Sequence, residues 1–187
     1  MRVLILFSSS ELGGAERSLS RMALASTDID YKLATIKGDG PWCDWVRALR
    51  HEPLVFGRGG SHGSGRISGA IFRLFLYLHS NPVDVVYVCG VRASLLIRLF
   101  YFIVPSTKIV LGIRWNPDSD SRLDSVFRFI EKTTGFLIDA WITNSQAAKV
   151  TLIRRCGVSE DCIRSSTMAL LLSRIRCPSL MIDRLKF

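Results

Sequence analysis

The first residues with chemical promise are Gly13 and Gly14, in the stretch SSSELGGAERSLSRMA that runs from Ser8 to Ala23. They stand between an apolar run, Val3–Phe7, and a segment whose Leu19, Met22 and Ala23 fall at helical spacing. Bare backbone at the mouth of a helix can turn N–H groups toward an anion. The spacing is not that of the dinucleotide fingerprint G-x-G-x-x-G, nor of the Walker A loop, which needs a Lys-Ser/Thr pair after its last glycine. A tight turn explains two adjacent glycines equally well.

Three other stretches hold candidate groups. In GIRWNPDSDS, Gly112 to Ser121, Arg114 and Asn116 follow an apolar run, where an arginine can hold a phosphate or carboxylate through two parallel hydrogen bonds. An ion pair from Arg114 to Asp118 or Asp120 is the competing reading. In WITNSQAAK, Trp141 to Lys149, Asn144 and Ser145 end one apolar run and open a helical one. Either serves as an N-cap, and their position at a strand end also suits a ligand. The loop GRGGSHGSGR, Gly57 to Arg66, reads as an exposed surface loop before a phosphate cradle. None of the three histidines, His51, His62 and His79, has a context that suits catalysis.

Positioning these groups requires an alternation of strands and helices. Apolar strand candidates are Val3–Phe7, Tyr31–Ile36, Pro53–Phe56, Val83–Cys89, Lys108–Ile113 and Asp139–Thr143. Helix candidates between them are Glu16–Ala25, Trp42–Arg50, Ile67–His79, Arg92–Phe102, Ser121–Phe136 and Gln146–Arg155. Such alternation predicts βαβ units in a doubly wound parallel sheet, a Rossmann-like α/β fold. Ligands in that class bind at the carboxyl ends of the strands, where Gly13, Gly14, Arg114, Asn144 and Ser145 all fall.

The 187 residues suffice for one domain, and 48% are hydrophobic, in keeping with a sheet covered on both faces. The formal charge of +9 points to anionic partners. Nucleic acid is excluded as the expected partner, because the arginines scatter over helices and the aromatic residues lie in apolar runs. The cysteines at 43, 89, 156, 162 and 177 form no C-x-x-C pair and no metal spacing, so they read as idle thiols of a reducing compartment. No metal site or cofactor is expected. The stretch Val91–Ile113 is broken by Arg92, Arg98, Lys108 and Pro105 and does not read as a membrane span. Arg73 and Arg98 sit inside apolar helices. They would face lipid phosphate at a membrane interface, or reach solvent from an ordinary core.

The elements LGGAERSLSRMA, VDVVYVCGVRASLLIRL, KIVLGIRWN and IDAWITNSQAAKVTLIRRCGVSEDCI resemble, in order and spacing, the N-terminal domain of family 4 glycosyltransferases. The resemblance covers residues 1–164. It implies a GT-B architecture, in which two Rossmann-like domains flank a cleft. The N-terminal domain mostly holds the acceptor, and the C-terminal domain holds a nucleotide-sugar and supplies a Glu-x7-Glu element. It further implies transfer with retention of configuration, no metal, and a glycan or lipid-linked acceptor. Gly13, Gly14, Arg114, Asn144 and Ser145 become substrate-binding candidates. Many members carry a histidine after the fifth strand, where this chain has GIRWN, so no general base is assigned.

Residues 165–187 are too few for a donor domain. The resemblance therefore predicts a chain that is inactive alone. The alternative is a non-catalytic acceptor- or partner-binding module completed by a separate donor-domain subunit. The expected location is the cytoplasm, peripheral at the inner face of the membrane and held by an anionic surface. The tail, Cys162 to Phe187, departs from the family and suggests a reading-frame shift near Arg164. Met168 is ATG and Ala169 begins GC, so the frame one base earlier must read GGC, a glycine. Permitted codons for the neighbours then give Ile-Ile-Tyr-Asn-Gly-Ile, the family continuation. The nucleotide sequence downstream of codon 164 tests this: no open frame for a second Rossmann-like domain would end the idea.

Overall fold

The computed structural model describes residues 1–57, 65–104, 106–114 and 122–165. Seven strands form an all-parallel sheet in the order β3-β2-β1-β4-β5-β6-β7, flanked by helices, which is the Rossmann-like α/β class expected from the alternation. The chain divides into two compact units, Met1–Lys108 and Ile109–Phe187.

In the first unit, β1 (Arg2–Phe7) pairs in parallel with β2 (Asp30–Thr35) on one side and β4 (Val85–Cys89) on the other. Val3 to Phe7 are each no more than 1% exposed, which is why this strand is apolar throughout with no alternation. The edge strand β3 (Leu54–Val55) is only two residues long, against the four expected over Pro53–Phe56. The helices are α1 (Gly14–Ala25), α2 (Pro41–Ala48), α3 (Gly65–Ser80) and α4 (Val91–Ile97). Gly65 and Arg66, expected in the loop, belong to the first turn of α3. His62 and the rest of that loop lie outside the described residues. The fourth helix is shorter than Arg92–Phe102 and tightens into a 3-10 turn over Arg98–Phe100.

The second unit holds β5 (Lys108–Ile113, whose first residue falls in the first unit), β6 (Ala140–Thr143), β7 (Ile163–Ser165), α5 (Arg122–Thr134) and α6 (Gln146–Cys156). Strand β7 extends the sheet beyond the six strands expected. It is three residues long, too short to carry a period of its own, and it is fixed by pairing Trp141 with Ile163 and Thr143 with Ser165. The tail beyond it lies outside the described residues.

The reading of Arg98 needs correction. Arg98 is 5% exposed, so it neither faces lipid nor reaches solvent. Arg73 is half-buried, its Nε donating to the Phe56 carbonyl at 2.6 Å. Among the described residues no helix is long and apolar enough to cross a membrane, and Cys43, Cys89, Cys156 and Cys162 are buried free thiols.

Candidate functional site

The loop from Ser8 to Gly13 is built by its neighbours. The Ser8 amide donates to the Cys89 carbonyl at 3.0 Å, extending the β1–β4 ladder by one residue. The Ser8 hydroxyl accepts from the Ala93 amide at 2.9 Å and so satisfies the first turn of α4 from outside its own segment. Close approach is possible because residue 90 is a glycine: its φ is +103°, and an added Cβ would collide with the Ser8 side chain. On the other flank the Ser10 carbonyl accepts from the Trp42 amide at 2.9 Å. An added Cβ at Gly40 would come within 2.6 Å of the Ser10 hydroxyl. Trp42 is fully buried; its Nε1 donates to the Ser20 hydroxyl at 3.1 Å, and its ring meets Phe7 edge to face at 4.9 Å. The loop is therefore clamped between the turns that lead into α2 and α4.

Gly13 and Gly14 follow this clamped segment. Gly13 is the N-cap of α1 in extended backbone, with no side-chain cap. Glu16, three residues on, folds back so that its Oε2 would lie 2.5 Å from a Cβ at Gly13, the position taken by the acidic half of a capping box. Gly14 is exposed and begins α1, and a Cβ there would meet nothing within 4 Å. Among the described residues, neither packing nor backbone conformation requires a glycine at 14.

In the second unit, the register pairs Ile113 with Thr143, so Arg114 and Asn144 are the next residues along adjacent strands, about 5 Å apart. Arg114 is half-buried, and among the described residues it has no hydrogen-bond or ion-pair partner. Asp118 and Asp120, its expected partners in the competing reading, lie outside the described residues, as does Asn116. Ser145 caps α6, its hydroxyl accepting from the Ala148 amide at 3.2 Å, while Asn144 and Ser145 are both exposed. The structure thus gathers Arg114, Asn144 and Ser145 on one edge of the second unit, and places Gly13 and Gly14 on the carboxyl edge of the first.

Two functional groups escaped the sequence reading. Ser8 was not distinguished from the run of serines around it, since its partner lies 85 positions away. Thr143 is 1% exposed, and among the described residues its hydroxyl has no hydrogen-bond partner. Of the histidines, His51 is exposed, and His79 is exposed beside Phe75 at 6.0 Å.

Buried thiols flank this framework without entering it. Burial pushes Cys43 up to about 11, helped by a hydrogen bond with Asp39. Burial, with the charge of Glu131 second, likewise pushes Cys156 up to about 11.

No protein-family model and no curated protein matches the sequence. Solved structures do. The Anabaena HepE protein, solved with UDP and glucose, superposes with a TM-score of 0.69 at 20% identity, over 88% of this chain and 43% of that one. The fold is one half of a GT-B architecture. A lipopolysaccharide outer core galactosyltransferase, WaaB, gives 0.65 at 15% identity over 88% and 44% of the two chains. The UDP-GlcNAc 2-epimerase of Methanocaldococcus jannaschii, solved with UDP-GlcNAc and UDP, gives 0.64 at 18% identity over 88% and 46%. The chain spans less than half the length of each of these three proteins.

Proposed function

We propose that residues 1–164 are the N-terminal, acceptor-side half of a glycosyltransferase resembling family 4. In that reading the half works with a donor-binding half to move a sugar, with retention, from a nucleotide-sugar to a glycan or lipid-linked acceptor. One observation carries it: Gly14 opens a helix, where alanine is the better helix former, and nothing among the described residues requires it to lack a side chain. Bare backbone on an open, rigidly clamped edge suits the close approach of a substrate. The galactosyltransferase likeness supports the transferase class, and the bound UDP and glucose in HepE support a nucleotide-sugar chemistry.

The test pairs binding with turnover. Ligand-observed NMR on the purified chain with a panel of nucleotide-sugars and glycan acceptors should show a sugar acceptor bound, and Gly14→Val should weaken it about tenfold or more by filling the contact. Equal binding by the variant overturns the reading. A mass-spectrometric transfer assay on the 187-residue chain should show no turnover until a donor-binding half is supplied, and turnover by the chain alone refutes that dependence. The epimerase likeness favours a second reading. If the chain converts UDP-GlcNAc to its C2 epimer, the transferase reading is replaced.

Peripheral attachment to an anionic membrane remains part of the proposal, now resting on exposed Phe72, Leu76, Leu99 and Phe102 in place of the buried Arg98. Co-sedimentation with anionic liposomes at low salt checks it, and a chain left wholly in the supernatant sinks it.

A further inference from the structure

The carboxyl edge of the second unit carries unspent polar groups. Arg114 has no partner among the described residues, although it emerges beside Asn144 at the end of two paired strands. The first turn of α6 presents the Gln146 and Ala147 amides, since the Ser145 hydroxyl takes only that of Ala148. At 11 residues, α6 is long enough to keep a positive end there.

Thr143 supplies the independent observation. Strand side chains alternate, so Thr143 shares a face with Trp141. That face is the one covered by α5, because the Trp141 Nε1 donates to Glu131 on α5 at 3.3 Å. Helix α6 packs on β6 and against α5, and it starts three residues after Thr143. The Thr143 hydroxyl is therefore on the sheet face covered by α5, where α6 also packs; it is buried and, among the described residues, has no hydrogen-bond partner. Leaving a buried hydroxyl unmet costs about 1–3 kcal/mol, which a stable fold can recover when a ligand supplies the missing acceptor directly or through one water.

We propose that this edge is an oxyanion subsite that takes a phosphate carried by the acceptor. Arg114 grips two of its oxygens, the Gln146 and Ala147 amides bind a third, and Asn144 and Thr143 complete the set. The assignment to the acceptor rests on the proposed acceptor-side role; the oxyanion chemistry does not. The same chemistry could be met by the diphosphate of a nucleotide donor, and the experiment separates the two.

Amide and arginine Nε resonances of the full chain are followed by 15N NMR during titration with glucose 6-phosphate, glucose and UDP. Glucose 6-phosphate should move Gln146, Ala147 and Arg114 saturably, and glucose should not. Arg114→Gln should weaken binding about tenfold or more, the loss expected when a charge-assisted pair is removed. Arg114→Lys, which keeps the charge and loses the fork, should fall between. Thr143→Val should weaken binding several-fold, and Lys32→Gln, on the first unit, should leave it unchanged. Unmoved amides, or equal binding by Arg114→Gln and wild type, overturn the subsite. If UDP moves these resonances and glucose 6-phosphate does not, the acceptor assignment is overturned in favour of the donor. Phosphate binding is read without turnover, so a failed transfer assay leaves this result standing.

Discussion

The carboxyl edges of the two units solve the same local problem in opposite ways. In the first, the starts of two helices that flank the β1 loop are met from within the protein: Ser8 serves α4 through the Ala93 amide, and the Ser10 carbonyl serves α2 through the Trp42 amide. What remains for a ligand is bare backbone at Gly13 and Gly14. In the second, the self-made contact stops at the Ser145 cap, and among the described residues Arg114 and Thr143, side chains with charge or hydrogen-bonding capacity, are left unmet. The first edge is shaped by packing and selects by contour. The second is chemically unsaturated and selects by charge.

The comparison breaks first at Trp42. Trp42→Ala removes a fully buried indole and strands the Ser20 hydroxyl, so a loss of about 3–5 kcal/mol is expected in urea denaturation. A loss under 1 kcal/mol would mean that the first edge is not held by packing. Next comes a pair of glycines. Gly90→Ala should cost about 1–3 kcal/mol, because it combines a left-handed backbone with a collision at Ser8. Gly14→Ala should be neutral or stabilising by up to about 1 kcal/mol, since it replaces a poor helix former in open space. Thermal melts of both variants sharpen the contrast, and similar losses for the two would erase it.

Thr143→Val is expected to act in the reverse sense. Removing an unmet buried hydroxyl should raise stability by about 1 kcal/mol while weakening oxyanion binding. Lost stability in the apo chain would show that the hydroxyl is used internally.

The smallest effect at neutral pH comes from the thiols. The folded state holds Cys43 and Cys156 up to about 11, so it binds their protons more tightly than the unfolded chain does. Their contribution is complete below the ordinary thiol range near 9 and is lost as pH rises from there through about 11. Iodoacetamide trapping followed by mass spectrometry should show both sites protected at pH 8, with labelling only as the alkaline transition begins. Rapid labelling of Cys156 alone would mark the second unit as the looser one.

Much of this was legible in the sequence. The run Val3–Phe7 read directly as a doubly covered strand, and the alternation of elements fixed the parallel sheet. The strand-end candidates landed on carboxyl edges because a βαβ chain leaves them nowhere else to go. What escaped was long-range or too short to have a period. Strand β7 exists only through its pairing with β6. Arg98 sits in an apolar run that reads the same whether its head points in or out, and only tertiary packing buries it. Ser8 acts on a helix 85 positions away, and nothing local distinguishes it from Ser9 or Ser10.

The place of β1 has a consequence for how the protein is made. It leaves the ribosome ahead of both its neighbours, and one of them, β4, ends only at Cys89. Until that residue has emerged, one whole edge of Val3–Phe7 is an open apolar template, and closing it waits on contacts far apart in sequence. The nascent chain should therefore depend on chaperones while it is drawn out from β1 to β4, where exposed strand edges invite aggregation.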